Sequence, residues 1–332
     1  MANAPIFLGK VRLKSLLNNL IFSVTLHENY KIIILKEIKK MNEKRFETIE
    51  AFAEAVRIEI EQRLQKKATI QKVNKNNGLT LHGLTVLEDK VNISPTIYIE
   101  SFYEAYEEVG MESIIDTIEE IYEENKINYN FDINSILDYE SIKENLRAKL
   151  INYELNREFL KEVPHRRFLD LAIIVYIEIN DKVIADMASV IVKNNILESW
   201  DISKEEMISI AIENSEKNIN IMNMSDIVDL TFYKEEVNMY VATNHEMLNG
   251  AIAMVNIKKI KELADTLVAQ ELIIIPSSIH EIILVTLDDM MDDKTYIHDM
   301  IKSVNSSIVN KSDVLSENYY IYNKEDNEIR IA

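Results

Sequence analysis

Cysteine is missing from this 332-residue chain, which also holds only 5 glycines, 4 prolines and 1 tryptophan. With no thiol there is no disulfide scaffold, no cysteine-ligated zinc, no iron–sulfur cluster and no thiol nucleophile. The same absence fits a reducing cytoplasm. Five scattered glycines build neither a phosphate-binding loop nor a dinucleotide-binding fingerprint. Low-complexity and charge-only stretches, the marks of disorder, are also lacking, while 47% of the residues are apolar, so the chain reads as globular.

Positive charge is scarce, and it is unevenly placed. Lys and Arg number 37 against 56 Asp and Glu, a net charge of −19. Residues 1–40 carry seven cations against Glu28 and Glu37, a net of +5, which leaves −24 to the other 292 residues. An acidic body of this kind repels phosphate backbones and anionic lipid, so no direct grip on nucleic acid is expected and the expected partner is a basic protein. The apolar part of residues 10–26 is interrupted by Asn18 and Asn19 and falls short of the ~18 residues of a membrane span, so no span is expected. The abrupt shift in composition before Met41 marks residues 1–40 as a basic extension, read as upstream sequence outside the native fold rather than a surface helix or a degenerate export signal.

From Met41 onward helix and strand patterns alternate without a βαβ rhythm. Apolar residues at Phe46, Ile49, Phe52, Ala53, Val56, Ile60 and Leu64 mark one helical stripe. Residues 68–73 and 79–87 alternate as strands around the turn Asn76-Asn77-Gly78. Two acidic helices are expected either side of Gly110, the type of segment 146–153 is open, and 168–179 with 183–192 read as adjacent antiparallel strands joined by a turn at 180–182. Ser203-Lys204-Glu205-Glu206 is a capping box, and Asp292 or Asp293 is a cap for a last helix. The expected fold class is α+β, with mixed or mostly antiparallel sheets and flanking helices, divided near Asn195 into portions 41–195 and 196–332.

Metal and cofactor chemistry find no support in the motifs. His245-Glu246 and His280-Glu281 begin like the helical zinc motif, but Asn249 and Leu284 stand where a second histidine is needed. Asp288-Asp289 and Asp292-Asp293 lack the alternating oxygens and central glycine of a calcium loop. No metal and no cofactor is expected.

Two polar knots stand out at proline-led turns. In the first, His165, Arg166, Arg167 and Asp170 crowd the start of the most apolar run. They read either as an anion pocket with an Arg166 or Arg167 fork or as a structural pairing of Asp170 with an arginine. In the second, Ser277, Ser278, His280 and Glu281 gather hydroxyls, an imidazole and a carboxylate. A serine nucleophile needs a hydrogen bond that residues two apart on a strand rarely hold, and no nucleophile elbow is present, which favours a structural turn. The knots are expected to meet, with His165, Arg167 and Asp170 near Ser278 and His280. The segments Lys75 to Gly78, Ile93 to Tyr98, Leu150 to Tyr176, Met239 to Asn244, Gly250 to Met254, Leu272 to Val285 and Asp313 to Tyr322 together resemble a family of uncharacterised proteins of clostridial Gram-positive gut bacteria, often carried near mobile elements. The C-terminal portion is also loosely similar to an uncharacterised family from bacilli. The resemblance implies a bacterial cytosolic protein and assigns no catalytic residue. Two functions therefore stand: a non-enzymatic acidic binding or regulatory module, and a hydrolase-like enzyme or small-ligand binder whose pocket joins the two knots.

Overall fold

The computed structural model describes residues 46–88, 91–92, 94–126, 133–179, 189–227, 239–286 and 294–332. The basic extension, the turn at 180–182 and the aspartates at 288–293 lie outside them. The chain forms two compact units, Met1–Val73 with Leu81–Asn128, and Asn74–Thr80 with Tyr129–Ala332.

In the first unit Thr48 accepts from the Ala51 N–H at 3.2 Å and caps helix α1, Ile49–Leu64, which ends at a left-handed Gln65. Its stripe of Phe52, Ala53, Val56 and Ile60 is fully buried. Strands β1 (Ala68–Asn74), β2 (Thr80–Val86) and β3 (Thr96–Tyr98) form a sheet in that order, with β2 and β3 antiparallel. Helix α2, Glu100–Asn125, is broken at Gly110, whose φ of 78° and ψ of 163° are non-helical. The glycine tolerates that conformation because it has no Cβ. Glu100, in the first turn of α2, accepts from the His82 N–H at 2.7 Å and faces the His82 ring at 3.0 Å, which fixes the helix start against β2.

Two antiparallel sheets make the second unit. The smaller has β4 (Leu146–Asn152), β6 (Leu171–Glu178) and β5 (His165–Phe168) in that order, with β7 (Ser189–Ile191) also on β6. The segment whose type is open in the sequence is thus a strand: Leu146, Ala148 and Leu150 are buried in the main core, while Arg147 and Lys149 point to the opposite face. The strand expected to start at Phe168 starts at Leu171 instead, and Phe168 ends a separate strand. Leu169, at φ 56°, and Asp170 form a tight turn, so His165, Arg166 and Arg167 lie on a strand of their own rather than at the entrance of the apolar one.

The larger sheet has the order β13-β12-β10-β11-β9-β8, built from β8 (Ile219–Asn223), β9 (Met239–Asn244), β10 (Glu271–Pro276), β11 (Ile282–Thr286), β12 (Tyr320–Asn323) and β13 (Glu328–Ile331). Strand β10 is apolar from Leu272 onward because both faces are covered there. Leu272 and Ile274 enter the main core, and Ile273 and Ile275 meet Ile297 and Ile301 of the helix at Lys294–Ser307. Helices α3 (Lys204–Glu216), capped by Ser203 at 3.1 Å from the Glu206 N–H, and α4 (Ile257–Thr266) complete that core. Both sheets feed one cluster, from Leu146 to Tyr322. The division expected near Asn195 falls inside it, since residues on either side of that point pack together. Among the described residues no helix is long and apolar enough to cross a membrane.

Candidate functional site

The two polar knots are each tied to the segment from Asn310 to Tyr320. Asp170, in the tight turn before β6, accepts from Ser316 Oγ at 2.7 Å, Asn318 Nδ2 at 3.0 Å and Tyr320 Oη at 2.7 Å. Its partners are hydroxyls and an amide, not the arginine that local sequence favoured, because β5 carries both arginines away from it. Arg166 reaches Glu205 and Ser209 of α3 at 3.1 and 3.2 Å. Arg167 donates to the Leu169 carbonyl at 3.0 Å and lies 4.5 Å over the Tyr153 ring. The His165 Nδ1 is 2.9 Å from the Val163 carbonyl, so that nitrogen carries the hydrogen. Burial, followed by the neighbouring Asp170 charge, raises the Tyr320 hydroxyl well above its usual range and keeps it a donor.

The second knot is a self-bonded turn. Ser278 Oγ donates to Glu281 at 2.9 Å and accepts from the His280 N–H at 3.0 Å. Its hydrogen is therefore directed at a carboxylate rather than at an imidazole. Ser277 is half-buried and makes no side-chain hydrogen bond among the described residues. The His280 Nδ1 accepts from the Asn249 N–H at 3.2 Å, which places the ring hydrogen on Nε2, 3.8 Å from Asp313 Oδ1. Burial pushes the Asp313 carboxyl up, but bonds from His280, Asn310 and Ser312 outweigh it and hold the group below the usual carboxylate range.

A close backbone approach positions this turn. A Cβ on Gly250 would sit 2.2 Å from Thr243 Oγ1 and 2.6 Å from the His280 carbonyl, the same carbonyl that accepts from Thr243 Oγ1 at 2.7 Å. Asn249 before it is left-handed at φ 57° and bonds through its side chain to the Tyr176 hydroxyl, which burial pushes up to about 12. The hairpin tip closes the far side: Asn76 and Asn77 donate to the carbonyls of Ser312, Lys311 and Val314 at 2.7 to 2.8 Å.

Asp170 and His280 thus converge on one segment, through Ser316 and Asp313, without a direct hydrogen bond or ion pair between the two knots among the described residues. Clefts of about 620 Å³ beside Glu216 and Lys258 and of about 500 Å³ beside Tyr103 and Glu104 include none of the eight expected residues. No cluster able to hold a metal ion is found among the described residues.

Residues 49–324 match the profile of a family of unknown function, DUF5688. The chain belongs to this family. The DUF5688 match takes in residues of both units. No curated protein and no solved structure matches the chain.

The residues that sequence reasoning missed are Lys149, Tyr176, Asn249, Asp313 and Tyr320. The alternation of β4 was the one signal available for Lys149. It stands a single residue away from the buried Ala148 and Leu150, and burial, followed by the nearby Lys75 charge, pulls its ammonium down to about 8.

Proposed function

We propose that the protein is a non-enzymatic binding module that engages a basic protein partner through its first unit, the cytoplasm being the compartment this reading supposes. The observation that carries it is α2, which presents ten Asp and Glu and no Lys or Arg over 26 residues. Arg63 of α1 pairs with Glu112, Asp116 and Glu119, while Glu104, Glu108, Glu120 and Glu124 are exposed. The cleft formed by Phe46, Tyr103, Tyr106, Glu47 and Glu104 adds aromatic faces beside carboxylates, a lining suited to an ammonium or guanidinium group. Complementary charge of this kind speeds encounter and rejects acidic competitors.

The Ser278 hydroxyl, directed at Glu281, and the three donors on Asp170 favour the module over a hydrolase, because the hydroxyl is not aimed at an imidazole and the carboxylate is taken up by structural bonds. Calorimetric titration of the full chain with a synthetic Lys- and Arg-rich peptide tests the reading. Saturable binding at low ionic strength is expected, falling steeply with salt. A variant with Glu104→Gln, Glu108→Gln, Glu120→Gln and Glu124→Gln weakens it at least tenfold at an unchanged melting temperature. Absence of binding at low salt, or binding indifferent to the four substitutions, overturns the proposal.

A further inference from the structure

Within the second unit Lys149 is half-buried and has no carboxylate partner among the described residues. It lies in the middle of β4, with its ammonium 5.7 Å from the centre of the Tyr176 ring. Among the described residues no carboxylate or carbonyl accepts a hydrogen bond from it. A chain with 56 carboxylates would neutralise a lysine there readily, and instead the charged group acting on it is another cation, Lys75 of the hairpin tip. An unpaired, half-buried ammonium is destabilising, and such costs concentrate where a ligand supplies the missing partner.

The neighbours on this face of the sheet point the same way. Register places Lys149 and His165 on either side of Ile174, and Arg167 beside Ala172, so all three side chains leave the same face. Tyr153 stands between the His165 and Arg167 side chains, 6.0 Å from the imidazole and 4.5 Å from the guanidinium. Arg147, also on this face, is already committed to Glu178 at 2.9 Å. Nitrogen groups and aromatic rings therefore border a closed apolar cluster, in which Ile151, Ala172 and Ile174 are packed with Leu160 and Val163. That set of nitrogen groups suits the oxyanion of a small ligand.

We propose that Lys149 anchors an oxyanion-binding site on the outer face of the sheet formed by β4 to β7, taking a small molecule through a carboxylate or phosphate group. The site is separate from α2 and does not rest on the binding-module reading. Equilibrium dialysis of the full chain at pH 7 in chloride buffer, with inorganic phosphate and with succinate as the two probes, tests it. Saturable binding of at least one probe is expected, reduced tenfold or more in Lys149→Met, retained in Lys149→Arg, and weakening from pH 7 to pH 9 as the amine loses its proton. Phosphate alone binding assigns a phosphoryl ligand, and succinate alone assigns a carboxylate. No saturable binding of either probe, or binding undiminished in Lys149→Met, overturns the proposal. Replacement by Met removes an unpaired charge and keeps the apolar stem, so this variant folds, and the Arg variant controls for packing.

Discussion

The Asp170 receptacle makes a quantitative demand on stability. Three donors meet this half-buried carboxylate at 2.7, 3.0 and 2.7 Å, and a hydrogen bond to a charged acceptor contributes about 1.5–3 kcal/mol. Tyr320→Phe removes one donor while two remain and water reaches the vacated oxygen, so the loss is near the lower end, about 1.5 kcal/mol. Asp170→Ala removes all three bonds and also leaves the hydroxyl of a fully buried tyrosine without an acceptor, for a total of about 3–5 kcal/mol. For a unit of this size that lowers the melting temperature by roughly 10 °C. Urea denaturation followed by tryptophan fluorescence is the assay. The chain has 1 tryptophan, Trp200, which is buried in the second unit and bonded through its indole to the Ile136 carbonyl at 3.0 Å. If Tyr320 acts through Asp170, then Tyr320→Phe costs almost nothing in the Asp170→Ala background, and the coupling energy is about 1.5 kcal/mol or more. Single-variant losses that add to within about 0.5 kcal/mol refute the reasoning.

Two further outcomes follow from the geometry. Gly250→Ala forces a methyl group to 2.2 Å from Thr243 Oγ1 and 2.6 Å from a backbone carbonyl, and overpacking of that kind costs about 1–3 kcal/mol; a variant as stable as the parent in the same urea assay contradicts the close approach. For Lys149 the folded value, about 8, lies below the ordinary 10.5, so the burial cost is complete below pH 8 and fades between pH 8 and 10.5 as the native state sheds a proton the unfolded chain keeps. Lys149→Met is therefore expected to add on the order of 2 kcal/mol at pH 7, with the gain shrinking by pH 10; equal gains at both pH values count against it.

Elements with one dominant local signal were legible in the sequence. The spacing of Phe52, Val56 and Ile60 defines α1, Ser203 with Glu206 starts α3, and Gly110 breaks α2, because each depends on neighbours within a turn or two. Segment 146–153 was not legible. Arg147 and Lys149 alternate with Leu146, Ala148 and Leu150, a pattern short enough to suit either helix or strand until β6 supplies the partner. The split of the apolar run at Leu169 was hidden for another reason. A leucine at φ 56° carries no turn signature, and the conformation is held from outside, by the Tyr153 N–H on the Asp170 carbonyl at 3.1 Å and by the three donors on its carboxylate.

The same distinction explains what was visible of the site. His165, Arg167, Asp170, Ser278 and His280 drew attention as polar residues set among apolar ones, and that contrast is a local property. Which partner each takes is not local. Asp170 is satisfied by residues 146, 148 and 150 positions away and the His280 ring by the Asn249 N–H 31 positions away, whereas a pairing argument confined to the first knot selected the nearest arginine. Lys149 shows the converse. One lysine among 37 cations has nothing unusual in its sequence neighbourhood, and its lack of a carboxylate partner among the described residues emerges only once β4 is laid against β6. The proposed oxyanion site therefore lies away from the conspicuous turns, at a residue defined by the carboxylate partner it lacks among the described residues.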